Sequence, residues 1–206
     1  MNIIEKTVQE NLRERGSKFL GFLFPCSNLE AFETELHQIK ILHPTATHHC
    51  YAYRLNPANI TEFSSDDGEP SGTAGLPILN QLKSAELVNV GAVIVRYYGG
   101  TKLGKAGLIE TYAESTRICI EAASIKPIRL VLPVQILYQY PQQSIINKFK
   151  LTYQLSEMEA EYLEDVKITV ACSTEFHPAL IDELQKNAHL GITFEEFDAT
   201  FIPVES

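Results

Sequence analysis

Apolar residues recur at two periods along this chain, and the periods sort it into strands and helices. Val166, Ile168 and Val170 alternate with Lys167 and Thr169, the two-residue period of a sheet with one solvated face. Around Leu180, Ile181 and Leu184 the spacing becomes helical, and Pro178 suits the first turn of a helix there. Extended over the second half, the same reading predicts a β-rich run over residues 128–138 and a short helix over 142–150 opened by Pro141. Strands follow over 153–163 and 166–173, then a helix over 178–188 and a last strand over 192–203. That order, βαββαβ, is the ferredoxin-like arrangement.

In the first half the pattern predicts strands over residues 3–8 and 18–25, joined by the charged turn Arg13-Glu14-Arg15-Gly16. Ser27 or Asn28 caps a helix running to about residue 42, with Leu29, Phe32, Leu36 and Ile39 as its buried stripe. A strand over 48–55 precedes a long polar segment, 56–74, with no apolar period. A helix over 78–87, a buried strand over 90–97, a loop over 98–105 and a helix over 106–123 complete this half. Pro127 and Pro133 bracket a join near residue 128, so the chain reads as an α+β protein of two domains, 1–128 and 129–206.

Composition narrows the function classes. With 45% hydrophobic and 21% charged residues the chain is globular in character, and no stretch approaches the roughly 18 apolar residues of a membrane span. Glu5 and Glu10 interrupt the N-terminal apolar residues, so no signal peptide is expected and the expected location is cytoplasmic. Cys26, Cys50, Cys119 and Cys172 are scattered without a CxxC pair, which fits free thiols in a reducing compartment. The net charge of −9 disfavours nucleic acid at first sight, yet its distribution changes that inference. Residues 1–129 carry 13 Lys+Arg against 14 Asp+Glu, whereas residues 130–206 carry 4 against 12. A phosphate-binding surface therefore belongs on the first domain.

The sharpest chemical feature is the run from Val93 to Gly107, VIVRYYGGTKLGKAG. An apolar strand empties into a loop with Gly99, Gly100, Gly104 and Gly107, and a helix follows. Glycines let backbone N–H groups approach an anion, the helix start adds partial positive charge, and Arg96, Lys102 and Lys105 add full charges with no acid among them. The competing reading is a tight strand-to-helix turn whose glycines serve packing. For Arg96 itself two roles stand open: a bidentate grip on phosphate, or an internal ion pair with Asp66, Asp67 or Glu69. Tyr97 and Tyr98 fit either base stacking or packing at a strand end.

A second segment, Asp66, Asp67, Gly68, Glu69, Pro70, Ser71, Gly72 and Thr73, combines carboxylates of the kind Mg²⁺ takes with residues that build Asx turns and cap helices. No metal and no cofactor is assigned. Opposed charge and shared glycine content predict that this loop and the 98–107 loop form one cleft. On the strand at 48–54, His48 and Cys50 share one face, and His49, Tyr51 and Tyr53 the other. The anion- or RNA-binding set is accordingly Arg96, Tyr97, Tyr98, Gly99, Gly100, Lys102, Gly104 and Lys105, with His48 and Arg54 from this strand. No GxSxG, HExxH or Cys/His pairing marks a catalytic centre.

The strings HHCYAYR at 48–54, SDDGEPSGTAG at 65–75 and VRYYGGTKLGKAGL at 95–108 resemble the hallmark segments of the YigZ/IMPACT family. The resemblance implies a first domain like the second domain of ribosomal protein S5 and a ferredoxin-like second domain similar to those of elongation factor G. It also implies a role in translational control, which eukaryotic relatives exert by binding a partner of the kinase that senses amino-acid starvation. The expected function is a translation-associated regulator binding RNA phosphate or a ribosome-associated partner through the first domain's cleft. The rivals are a hydrolase or phosphotransferase using Asp66, Asp67, Arg96 and Lys102, and an interaction module that takes no nucleic acid.

Overall fold

A computed structural model describes residues 1–204. Its strands and helices fall into two compact units, Arg129 to Ile202 forming the second and the rest of the described chain, including Pro203 and Val204, forming the first.

The first unit is built on a five-stranded antiparallel sheet of β2 (Val8–Glu14), β3 (Ser17–Pro25), β4 (His48–Leu55), β5 (Thr61–Ser65) and β6 (Val90–Tyr97). The spatial order is β2-β3-β6-β4-β5. Alternation along β3 and β6 gives the sheet two apolar faces. Phe19, Leu23, Ile94 and Cys50 meet α2 (Gly75–Ser84) and α3 (Gly104–Ala122) through Ile78, Leu82, Leu108 and Tyr112. Leu20, Phe22, Phe24, Val93 and Val95 meet α1 (Leu29–Leu42) through Phe32 and Ile39. A short strand β1 (Asn2–Ile4) pairs with the start of β7 (Ile125–Tyr138), Asn2 opposite Pro127.

Several N-terminal expectations change. In place of one strand over 3–8, the chain forms β1 and β2, and the charged turn shrinks to Arg15 and Gly16, whose φ values of 45° and 83° suit a two-residue hairpin. Strand β2 escapes detection because it is an edge strand whose alternation rests on Val8 and Leu12 alone among polar residues. The polar segment hides a second edge strand, β5, where Phe63 stacks beside Tyr53 with centroids 5.9 Å apart. Leu29 lies outside the buried stripe of α1, exposed at the helix start, where the Asn28 side chain accepts from Ala31 N–H at 2.9 Å. Helix α2 begins three residues earlier than its apolar period, at Gly75, for a reason that lies in Asp66.

In the second unit β7, α4 (Gln143–Thr152), β8 (Ser156–Tyr162), β9 (Val166–Cys172), α5 (His177–Lys186) and β10 (Thr193–Glu196) follow one another as βαββαβ. The antiparallel sheet runs β10-β7-β9-β8, and Val134, Ile136, Ile168 and Val170 bury one face against Ile146, Phe149, Leu180 and Leu184. The final strand divides into β10 and β11 (Thr200–Pro203). No helix among the described residues is long and apolar enough to cross a membrane.

Candidate anion-binding cleft

Arg96 lies near the end of β6, with Phe19 and His48 as its cross-strand neighbours, so the register aims all three at the α2/α3 face. Its guanidinium sits between the rings of Phe19 and Tyr98, 5.4 Å from each centroid. Nη1 donates to Glu69 Oε1 at 2.5 Å and Nη2 to Ser17 Oγ at 3.4 Å. Arg96 is therefore not a free fork for phosphate: a buried guanidinium requires a counter-charge, and Glu69 supplies it. Of the three Arg96 side-chain nitrogens, Nε is the one buried without a partner among the described residues. Glu69 Oε1 also accepts from Tyr112 Oη at 2.8 Å, while Oε2 lies 3.9 Å from His48 Nε2. Burial, then the neighbouring Cys50 and Glu69, raise the Tyr112 hydroxyl far above the ordinary range, so it stays protonated, donating to Glu69 while it accepts from the Cys50 thiol at 3.3 Å.

The acidic loop is a backbone device in which Glu69 alone turns toward the cleft. Asp66 Oδ1 accepts from the N–H groups of Ala74 and Gly75, both at 2.9 Å, and Oδ2 from Gly72 at 2.8 Å. This clamp fixes the start of α2. Burial opposes ionisation of Asp66, but the N–H groups of Gly72, Gly75, Ala74 and Thr73 outweigh it and hold the carboxyl below its ordinary value. Asp67, at φ 42°, accepts from His49 N–H at 2.6 Å and presents its carbonyl to His48 Nδ1 at 2.7 Å. Gly68, at φ 88°, turns the chain, and the Thr73 hydroxyl donates to the Pro70 carbonyl at 2.6 Å. Ser71 is exposed. Both aspartates are thus committed to backbone groups.

The basic loop is anchored to the β2–β3 hairpin. Gly99 N–H donates to Ser17 Oγ at 3.1 Å, and a Cβ on Gly99 would stand 1.9 Å from the Gly16 carbonyl carbon, so the approach admits only glycine. Tyr98 N–H donates to Thr47 Oγ1 and the Tyr98 hydroxyl to the Gly100 carbonyl. Gly100 and Gly104 take φ of 87° and 75°. Helix α3 then starts with no acid in its first turn and no side-chain cap, leaving its first N–H groups available. A cavity of about 460 Å³ opens here, lined by Glu69, Pro70, Arg96, Tyr98, Lys102, Leu103, Gly104, Lys105 and Leu108. The two loops meet in one cleft, with Glu69 rather than Asp67 as its acidic wall.

Two residues of the expected set lie elsewhere. Arg54 stands six residues from His48 along β4, a rise of roughly 20 Å, and binds Glu62 and the Leu87 carbonyl. Tyr97 points to the opposite sheet face, its hydroxyl 3.0 Å from His43 Nδ1. Burial, then Lys18, lowers the His43 pKa, and burial also lowers that of His49 although Asp67 and the His43 carbonyl pull the other way. Ser17, Phe19 and Tyr112, which help complete the Arg96 surroundings, carry no local sequence signal because strand register and helix packing bring them together across long separations. All four cysteines are free and buried, and burial lifts the Cys26 and Cys119 thiols to about 12. Among the described residues no group of three or more His, Cys, Asp or Glu side chains is placed to hold a metal ion.

The Impact N-terminal domain family matches residues 15–120, which include every residue lining this cleft. An "IMPACT family member" of Haemophilus influenzae is 30% identical over 84% of this chain and 84% of its own. The Escherichia coli "IMPACT family member YigZ" is 40% identical over 52% of each chain. A crystal structure of a hypothetical protein superposes with a TM-score of 0.66 at 25% identity, covering 96% of this chain and 97% of that one. With its hallmark domain matched over half its length and a relative alike over most of the rest, this chain belongs to the IMPACT family.

Proposed function

We propose that this chain is a translation-associated regulatory protein whose first unit binds RNA phosphate through the cleft between the 66–73 and 98–105 loops. The observation that carries the reading is the start of α3. Lys102 and Lys105 are exposed beside a helix N-terminus that has neither acid nor cap, at the mouth of a cavity. Family membership supplies the link to translation, and the near-neutral first unit carries these lysines while the surplus negative charge sits in residues 130–206. The rival hydrolase set is not gathered: Asp66 and Asp67 are held by backbone N–H groups, and Arg96 by Glu69.

The test is binding of a single-stranded RNA oligonucleotide at several salt concentrations, for the wild type and for a Lys102→Ala/Lys105→Ala variant. Phosphate binding predicts a steep fall of affinity with salt. The double variant should show a logarithmic slope shallower by about 1.4, since each single-strand phosphate neutralised by a lysine adds about 0.7 to the slope. Binding that ignores salt, or that survives the double substitution with its slope unchanged, rejects the cleft as a phosphate site and favours a protein-interaction module.

A further inference from the structure

We infer that the cleft holds one unpaired nucleotide, with its phosphate at the start of α3 and its base and ribose along the apolar wall toward Glu69. This rests on the phosphate-binding reading above and adds what the rest of the cavity recognises.

A bare phosphate needs only the lysines and the helix start, yet the cavity has two further features. Its volume, about 460 Å³, falls in the range of small-molecule pockets, and Pro70, Tyr98, Leu103 and Leu108 form an apolar wall. Leu103 and Leu108 are nearly buried, whereas Tyr98 is 45% exposed with Arg96 behind its ring, so it offers a braced aromatic surface. A nucleobase uses such a surface whatever its sequence.

The second feature is Glu69. Both hydrogen bonds received by Glu69 converge on Oε1, and the nearest partner of Oε2 is His48 Nε2 at 3.9 Å, beyond hydrogen-bond distance. An ionised carboxylate oxygen beside an apolar wall seeks a donor and repels a second phosphate. Ribose hydroxyls and exocyclic amines are such donors. The cleft thus combines groups that favour an anion with an aromatic apolar wall and a carboxylate that takes a donor, and a nucleoside monophosphate presents a phosphate, a flat base and hydroxyl or amine donors to match them. Bases stacked in a duplex cannot offer a free face, so the site selects single strands or free nucleotides.

Calorimetric titration of the full chain with adenosine 5′-monophosphate, ribose 5-phosphate, inorganic phosphate, a single-stranded adenylate oligonucleotide and the same oligonucleotide in duplex form tests this. The mononucleotide is expected to bind about tenfold more tightly than ribose 5-phosphate, about 1.4 kcal/mol for one stacked base. The variant Tyr98→Leu should lose that difference, whereas Tyr98→Phe, which keeps the ring, should retain it; equal loss in both variants overturns the stacking role. Strong mononucleotide binding with no oligonucleotide binding keeps the nucleotide site, identifies free nucleotide as its source and removes RNA from the proposed function. Equal affinity for the mononucleotide and ribose 5-phosphate overturns the nucleotide inference, while lysine-dependent binding of the single strand leaves the phosphate reading standing. Binding of none of the five overturns both.

Discussion

Arg96 and Glu69 form a buried ion pair, Nη1 to Oε1 at 2.5 Å, with side chains 6% and 4% exposed. The pair ties the end of β6 to the acidic loop and carries one wall of the cleft. Removing one partner strands the other charge. Glu69→Ala should therefore cost about 3–5 kcal/mol of stability, read as a lowered urea midpoint. Arg96→Lys keeps the charge but loses the bond to Ser17 and the sandwich between Phe19 and Tyr98, for a smaller loss of about 1–3 kcal/mol. A Glu69→Ala protein as stable as the wild type contradicts this role for the pair.

Asp66 makes stability acid-sensitive. Its folded carboxyl lies below the ordinary value of 3.8, so its contribution is fully present above that value and is lost as the pH falls through the folded pKa. Asp66→Asn should flatten the fall of the denaturation midpoint below pH 3.8 and cost about 1–3 kcal/mol at neutral pH, through weakened bonds to Gly72, Ala74 and Gly75. Parallel midpoint-versus-pH curves for variant and wild type would show that another group dominates acid unfolding.

The histidines act in a higher window. His43 and His49 have folded pKa values below 6.5, so the unfolded chain binds protons more readily. Stability is fully present above pH 6.5 and declines as the pH drops toward the folded values. Replacing His43 by Asn, which keeps a polar partner for Tyr97, should reduce the slope of stability against pH just below 6.5. An unchanged slope assigns the titration elsewhere, and proton NMR of the imidazoles gives the direct reading.

Gly99 is the steric test of the basic loop. A methyl group there meets the Gly16–Ser17 backbone, 1.9 Å from carbon and 2.0 Å from oxygen at Gly16, so hairpin and loop must part. Gly99→Ala should lower stability by about 1–3 kcal/mol and weaken any ligand of the cleft, whereas Gly72→Ala, which meets nothing within 4 Å but strains a φ of 75°, should cost stability by about 1 kcal/mol and spare ligand binding. Equal effects of the two substitutions on binding would remove the steric argument.

Much of this architecture was legible because burial stamps a period on the residues that create it. The alternation at 166–171 and the helical spacing at 180–184 each reflect a single buried face, and the predicted βαββαβ order is the observed one. Strand β6, buried along almost its whole length, is as plain. Edge strands β2 and β5 were not, since one free side and a solvated face leave little apolar signal. The same contrast holds for the cleft. Sequence alone marked its two loops, because positive φ and close backbone approach demand glycine and turn residues in unusual density. Which charges remain free was decided by tertiary structure. Arg96 and Arg54 look as available as Lys102 in the sequence, but strand register sets Arg96 against Glu69 and Arg54 against Glu62 and the Leu87 carbonyl, while Lys102 and Lys105 stay in solvent. Ion pairing depends on distances of a few ångströms between residues far apart in the chain, 27 positions for Arg96 and Glu69, and no local pattern encodes them.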